Sequence, residues 1–378
     1  MCAKLLTLPH QKHEFANFYR YYWFFSYKSD SIDMEELLLE QCNGTFENYL
    51  KLVVILFILS MNFEDPLLLR WIGEQYYNAK LDAELFVTMT KTLSATRKEI
   101  NYLHSQLKSA DPKMMIYDFN PLRKKPIVLE NEIMYLPVPQ FLFSAITKGF
   151  YHTLCDRIPK FREKFGKLVF EKYVQHVLRW KTPDYEIIPE FEYYIGRDRL
   201  DSPDCILVKD NNVILLEVKA TAPSIQLSAT DIENYENQMT KAYGVAISQC
   251  IKNEEHIRKG KLRHAKLPHQ IDHFFYVVVT LEAFYAFERK IIEDAVAEKG
   301  CMLAKNKCYH LMDVATLEDI VENDTRSFFD YICERELEER VFSSFPGTDT
   351  NKKNPFRERR SVKYVSSIID EIVGSMRK

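Results

Sequence analysis

The run Val213-Ile214-Leu215-Leu216-Glu217-Val218-Lys219-Ala220 constrains this chain more than any other stretch. Strand side chains alternate faces with a period of two. Ile214, Leu216 and Val218 make one face apolar, while Leu215 begins the face that Glu217 and Lys219 share. A strand apolar on both faces is a central one, covered on both sides. Opposite charges side by side at its end are costly unless they are paired or given a ligand. Thirteen residues before Glu217 stands Asp204, which opens the apolar run 205–208.

The surrounding pattern is that of a mixed α/β core. Residues 159–180 read as a helix with Phe161, Phe165, Leu168, Val169, Tyr173, Val177 and Trp180 on one stripe and Glu171 at its edge. Residues 185–195 read as one strand. The runs 205–208 and 213–220 read as two strands joined by Lys209-Asp210-Asn211-Asn212, whose Asp and Asn residues favour a tight antiparallel turn. A helix is expected from Thr230-Asp231, where an N-cap precedes acidic residues, to about Cys250. Strands follow at 274–281 and 308–313, then a helix at 316–320. Helices flanking a mixed sheet satisfy this order.

The first part of the chain reads as helical. Segments 34–39, 49–61, 66–79 and 83–107 carry apolar residues at helical spacing, with Asp65-Pro66 as a helix start. The apolar run 52–63 is shorter than the roughly 20 residues a membrane span takes and reads as a buried helix. Five prolines within 111–139 suggest a connector with short strands such as 126–129. The expected division is a mostly helical domain at 1–125, an α/β domain at 126–340, and a flexible loop with a C-terminal helix at 341–378. Only 10 glycines are present, against both an all-β sandwich and a glycine-rich phosphate loop. The 8 cysteines fit no common zinc spacing and read as reduced thiols. No secretory signal is evident at the N-terminus, so the expected location is cytoplasmic.

Taken together, Glu171 in the leading helix, Pro203-Asp204 at a strand start, Glu217-Val218-Lys219 one strand later and Gln238 in the following helix resemble the PD-(D/E)xK nuclease superfamily. The resemblance spans about residues 159–285. It implies a restriction-endonuclease-like fold and metal-dependent hydrolysis of DNA phosphodiesters, with RNA left open. It also implies a setting such as bacterial restriction or phage defence. Phosphodiester hydrolysis needs a metal to neutralise phosphoryl charge and to lower the pKa of the attacking water. Mg²⁺, or Mn²⁺ in its place, takes oxygen ligands, one or two of them carboxylates. Asp204 and Glu217 on adjacent strands can supply them, and the resemblance adds the Val218 carbonyl. Lys219 would orient the water and stabilise phosphate charge; a metal would lower its pKa while the carboxylates raise it. Glu171 would reach the metal or its water, and Gln238 the site or a substrate phosphate. Many exonuclease-like members carry a tyrosine four positions after this glutamine; here Ala242 stands there and Tyr243 follows.

Secondary candidates are weaker. The net charge of −3 implies no nucleic-acid partner, so any such surface must be a local patch. Lys241 lies about one turn from Gln238 and could meet a phosphate. Arg258, Lys259, Lys261 and Arg263 lie in a basic stretch that could track a nucleic-acid backbone or simply be a solvated loop. Glu190 and Glu192 read better as the solvated face of a strand than as site residues. The helical N-terminal part would recruit a protein partner or a second copy. The alternative to catalysis is an inactive nucleic-acid-binding or scaffold protein that keeps the fold as a subunit of a complex.

Overall fold

The computed structural model describes residues 12–62, 67–68, 82–107, 120–181, 183–221, 237–238, 240–282, 289–304, 307, 309–323, 326–337, 367 and 370. The chain is mixed α/β and forms two compact units, one of residues 1–161 with 352–378, the other of residues 162–351.

In the first unit, α1 (Lys12–Phe25), α2 (Met34–Cys42) and α3 (Phe46–Asn62) form the helical core. A two-strand ribbon, β1 (Lys28–Ser29) with β2 (Ile32–Asp33), links the first two helices. Asp33 caps α2 by accepting the Glu36 N–H. Residues 52–57 of α3 are buried on every side, which explains an apolar run without a membrane. Among the described residues no single helix is long and apolar enough to cross one.

The expected helix over 83–107 is two, α4 (Ala83–Thr92) and α5 (Arg97–Leu107). Between them Ser94–Ala95 forms β4. Thr96 and Glu99 restart the helix reciprocally, the Thr96 N–H donating to Glu99 and the Glu99 N–H to Thr96 Oγ1. The expected helix at 66–79 lies outside the described residues except for Leu67–Leu68, which are a strand, β3. A small sheet takes the order β3, β6 (Ile133–Tyr135), β5 (Ile127–Glu130), β4. A helix over 141–157, α6, follows; it is α-helical over Phe141–Ser144 and Phe150–Arg157 with a π turn at Ala145–Gly149. Because β5 pairs with β4 and β6 with β3, residues 126–161 belong to the first unit, and the boundary falls at 161/162 instead of near 125.

The second unit begins within α7, residues 161–177, whose α-helical parts Phe161–Phe165 and Glu171–Val177 flank a π turn at Gly166–Phe170. The expected strand over 185–195 divides. β7 (Glu186–Pro189) joins the main sheet, while β8 (Glu192–Ile195) pairs with β9 (Asp198–Asp201) as a separate ribbon. Pro189 offers no N–H to continue the ladder. Gly196, at φ 63°, turns the chain into β9.

The main sheet has the order β13 (Tyr309–Asp313), β12 (His273–Thr280), β11 (Asn212–Lys219), β10 (Cys205–Lys209), β7. β10 runs antiparallel to both neighbours, and β11, β12 and β13 run parallel. Lys209 pairs with Asn212, leaving Asp210-Asn211 as the hairpin turn, and Asp210 takes the left-handed φ of 51°. β11 is central, as its two apolar faces require: Val213 to Leu216 are fully buried. One face, with Val213, Leu215, Tyr276 and Val278, packs on α8 (residues 240–258) and α9 (Arg289–Glu298). The other is closed by α7 and α10 (Val314–Asn323), which Tyr173 Oη joins through Glu318 at 2.8 Å. α8 runs past the expected end at Cys250, to Arg258, and its expected start at 230 lies outside the described residues. A last helix, α11 (Phe328–Leu337), is anchored by Lys209 to Asp330 at 2.7 Å. The expected C-terminal helix at 362–376 lies outside the described residues but for Ser367 and Asp370, both helical and exposed.

A candidate acidic site at the end of the central strand

The register Cys205↔Leu216 sets Asp204 across from Glu217, one step beyond the last pair of the hairpin. Asp204 Oδ2 accepts the Val218 N–H at 2.6 Å. A strand residue's N–H and C=O leave the chain on the same edge, so the Val218 carbonyl shares the Asp204 side. Lys219 Nζ donates to Glu217 Oε2 at 2.8 Å and lies 3.8 Å from Asp204 Oδ2. The Glu217 side chain is only 2% exposed, so this ion pair is almost withdrawn from water.

Glu171 enters from α7, at the residue that follows its π turn. A π turn shifts side chains against the regular helical register and is a frequent device at functional sites. Gly166 in that turn lets α7 approach the end of β11, because a Cβ there would stand 3.3 Å from Ala220 Cβ. Burial, then repulsion from Asp204 and from Glu190, pushes the Glu171 carboxyl up to about 8. Burial and the Asp204 carboxylate push Glu217 up to about 8 as well, against the opposing pull of Lys219. For Lys219 burial lowers the pKa, but Glu217 and Asp204 outweigh it and hold the amine above its ordinary value. The carboxylates therefore keep Lys219 an ammonium ion, not a base.

Asp204, Glu217, Lys219 and Glu171 thus meet as the sequence suggests. Gln238 is helical and half-buried, and Lys241 is exposed. Lys241 lies at the site's end of the sheet: its neighbour Tyr243 contacts Thr280, which is in register with Lys219. In the basic stretch, His264, next to Arg263, packs on Phe191 with ring centroids 5.0 Å apart, while Arg258 stands over the Phe274 ring, and Phe274 pairs with Val213 near the start of β11. Arg258 and Lys259 pair with Glu254 and Glu255, and Arg263 donates to the Gly260 carbonyl.

Glu190 does more than line a solvated strand face. It sits just after β7, pairs with Lys167 at 3.2 Å and acts electrostatically on Glu171. The signal was Pro189, which ends the strand and frees the next side chain from its alternation. Glu192, by contrast, is exposed and meets Arg199 across the ribbon.

Among the described residues, no group of three or more histidine, cysteine, aspartate or glutamate side chains is drawn together closely enough to hold a metal by itself. Two neighbouring carboxylates suffice for a hard divalent cation, which keeps several waters and takes one or two such ligands. The donors here are all oxygens, and burial first, then the Asp204 carboxylate, pushes two carboxyls up to about 8; a cation would favour their ionised forms. The residues fit Mg²⁺ or Mn²⁺.

No family model, curated protein or solved structure matches this chain.

Proposed function

We propose that this chain is a metal-dependent nuclease that hydrolyses phosphodiester bonds of DNA. The observation that carries the reading is the meeting of Asp204, Glu217, Lys219 and Glu171 at one end of a buried central strand. Support for a restriction-endonuclease-like fold comes from the order helix, hairpin, helix, strand and from helices on both faces of the mixed sheet. A role in restriction or phage defence would follow from that resemblance alone.

Asp204, Glu217 and the Val218 carbonyl would hold the cation, with Glu171 on one of its waters. When bound, it supplies charge neutralisation at the phosphoryl oxygens and lowers the pKa of the attacking water. Lys219 hydrogen-bonds that water or a non-bridging oxygen and stays charged while doing so. The water oxygen would bond to phosphorus in line with the leaving oxygen, whose bond breaks and which takes a proton from solvent. Glu171, in its ionised form, would accept the proton the water gives up. Lys241 is free to meet a flanking phosphate.

Supercoiled plasmid, linear duplex, single-stranded DNA and RNA, each with Mg²⁺, Mn²⁺ or EDTA, test the reading. Cleavage of a DNA substrate, lost with EDTA and in Asp204→Ala and Lys219→Ala, is expected. Variants that cut like the wild type would refute the site. A scaffold reading draws on one observation, the Lys219 ammonium already resting on Glu217. Mg²⁺ calorimetry separates the two, because a scaffold of this kind takes up no cation.

A further inference from the structure

A second concentration of charge lies in the first unit and has the opposite sign. A cavity of about 110 Å³ is lined by Lys124, Lys125 and Arg157, with Thr92, Thr153 and Asp156. For scale, an engineered cavity of about 150 Å³ admits benzene. Three cations face one acid. Asp156 pairs with Lys124 at 3.1 Å, and both side chains are more than a third exposed, so this bridge is weak.

Lys125 and the exposed Arg157 are held by backbone, not by carboxylates. Lys125 Nζ donates to the Thr92 carbonyl at the end of α4, and Arg157 donates to the Gln41 carbonyl in the last turn of α2. Cations at helix C-termini are favourable in themselves, and this explains why they are fixed. It does not use them up: lysine has three donors and arginine five. Burial first, then the charges of Arg157 and Lys124, depress the Lys125 pKa, so its charge is poorly compensated. Cys42 also lines the cavity, but burial pushes its thiol up to about 11, which removes it as a thiolate nucleophile. The cavity is equipped to bind, not to react.

We propose that this cavity is a binding site for a tetrahedral phosphoryl anion, held by Lys124, Lys125 and Arg157. Charge-assisted donors match phosphate oxygens, and Arg157 can engage two of them at once. The volume suits one phosphate group, either inorganic phosphate or the terminal phosphate of a nucleotide or nucleic-acid end. This inference stands apart from the nuclease reading, since none of its residues belongs to the acidic site.

Calorimetry of the full chain with inorganic phosphate, a nucleoside monophosphate, and a 5′-phosphorylated and an unphosphorylated oligonucleotide tests it. Saturable phosphate binding is expected, weakened at least tenfold in Arg157→Gln and Lys125→Met. Because both residues also hold helix ends, Lys124→Gln is the control for folding: it should weaken phosphate several-fold with an unchanged Tm. Tighter binding of the phosphorylated than of the unphosphorylated oligonucleotide identifies a terminal phosphate as the source, whereas preference for inorganic phosphate identifies the free ion. No phosphate binding by the wild type, or equal affinity in all three variants, overturns the proposal.

Discussion

Glu217 and Glu254 are carboxylates of the same α/β unit, and their surroundings drive them in opposite directions. Burial is the largest influence on both, and it favours the neutral acid. At Glu254 it is overcome. Tyr276 Oη donates to the carboxylate at 2.5 Å, Lys307 approaches at 2.9 Å and Arg258 at 2.8 Å, and the pKa falls below its usual value. Lys307 is itself steadied 4.4 Å above the Tyr276 ring. At Glu217 the nearest groups are one ammonium and another carboxylate, and the pKa rises to about 8. The first arrangement is a satisfied network that holds a helix to a strand. The second leaves a buried carboxyl whose ionised form is disfavoured, a cost that a bound cation would reduce.

The comparison breaks most sharply in activity. Glu217→Gln removes a proposed metal ligand and should lower cleavage by about 10³-fold, while Glu254→Gln leaves it within about threefold. Plasmid nicking at saturating Mg²⁺ reads both; equal losses in the two variants would make the acidic cluster structural.

Stability should respond in reverse. Glu254→Ala strips three donors of their acceptor and should cost about 2–3 kcal/mol in urea unfolding. Above pH 8, where the carboxyl is ionised, Glu171→Gln removes a charge repelled by Asp204 and Glu190, and should stabilise the metal-free protein by about 1 kcal/mol. A destabilised Glu171→Gln variant would mean that the carboxylate is paired, not strained.

The pH dependence follows from the same shifts. Glu171 and Glu217 bind protons more tightly folded than unfolded, so stability falls as pH rises from the ordinary carboxylate value near 4.5 through about 8. Glu254 has the opposite sign: its contribution is present above the ordinary value and lost as pH falls below it. Melting curves between pH 5 and 8.5 should therefore slope downward without metal and flatten with Mg²⁺. A slope indifferent to Mg²⁺ would separate the acidic cluster from cation binding.

The smallest expected effect concerns the basic residues. Lys241→Ala should raise KM for DNA by a few-fold, because its cation sits at the site's end of the sheet. Lys261→Ala should change nothing measurable. A larger effect from Lys261 would move the DNA path away from the acidic site.

Legibility in the sequence tracked the range of the interaction involved. The hairpin was legible because its alternation and its Asp-Asn turn are local. The capping pair Thr96 and Glu99, which divides the helix at 83–107, was equally local but was masked by an apolar pattern continuing across it. The unit boundary was not legible, because strand partners many residues away decide it: β6 pairs with β3, and β5 with β4. The partners of Glu190 were not legible for the same reason: Lys167 and Glu171 come from another element. The basic stretch followed the site helix in sequence, yet α8 carries Arg258 to the Phe274 end of the sheet and the chain then returns to Phe191 at His264.

By itself, the sequence determined that β11 is a buried central strand and that Asp204, Glu217 and Lys219 share one end of a hairpin. Period-two alternation and tight-turn chemistry leave no other arrangement for those residues. Only the tertiary structure decided that Lys219 is locked as an ammonium ion, that Glu171 is raised toward neutrality, and that Lys124, Lys125 and Arg157 converge on one cavity. Charge energies depend on distance and burial, and both are set by elements far apart in the chain.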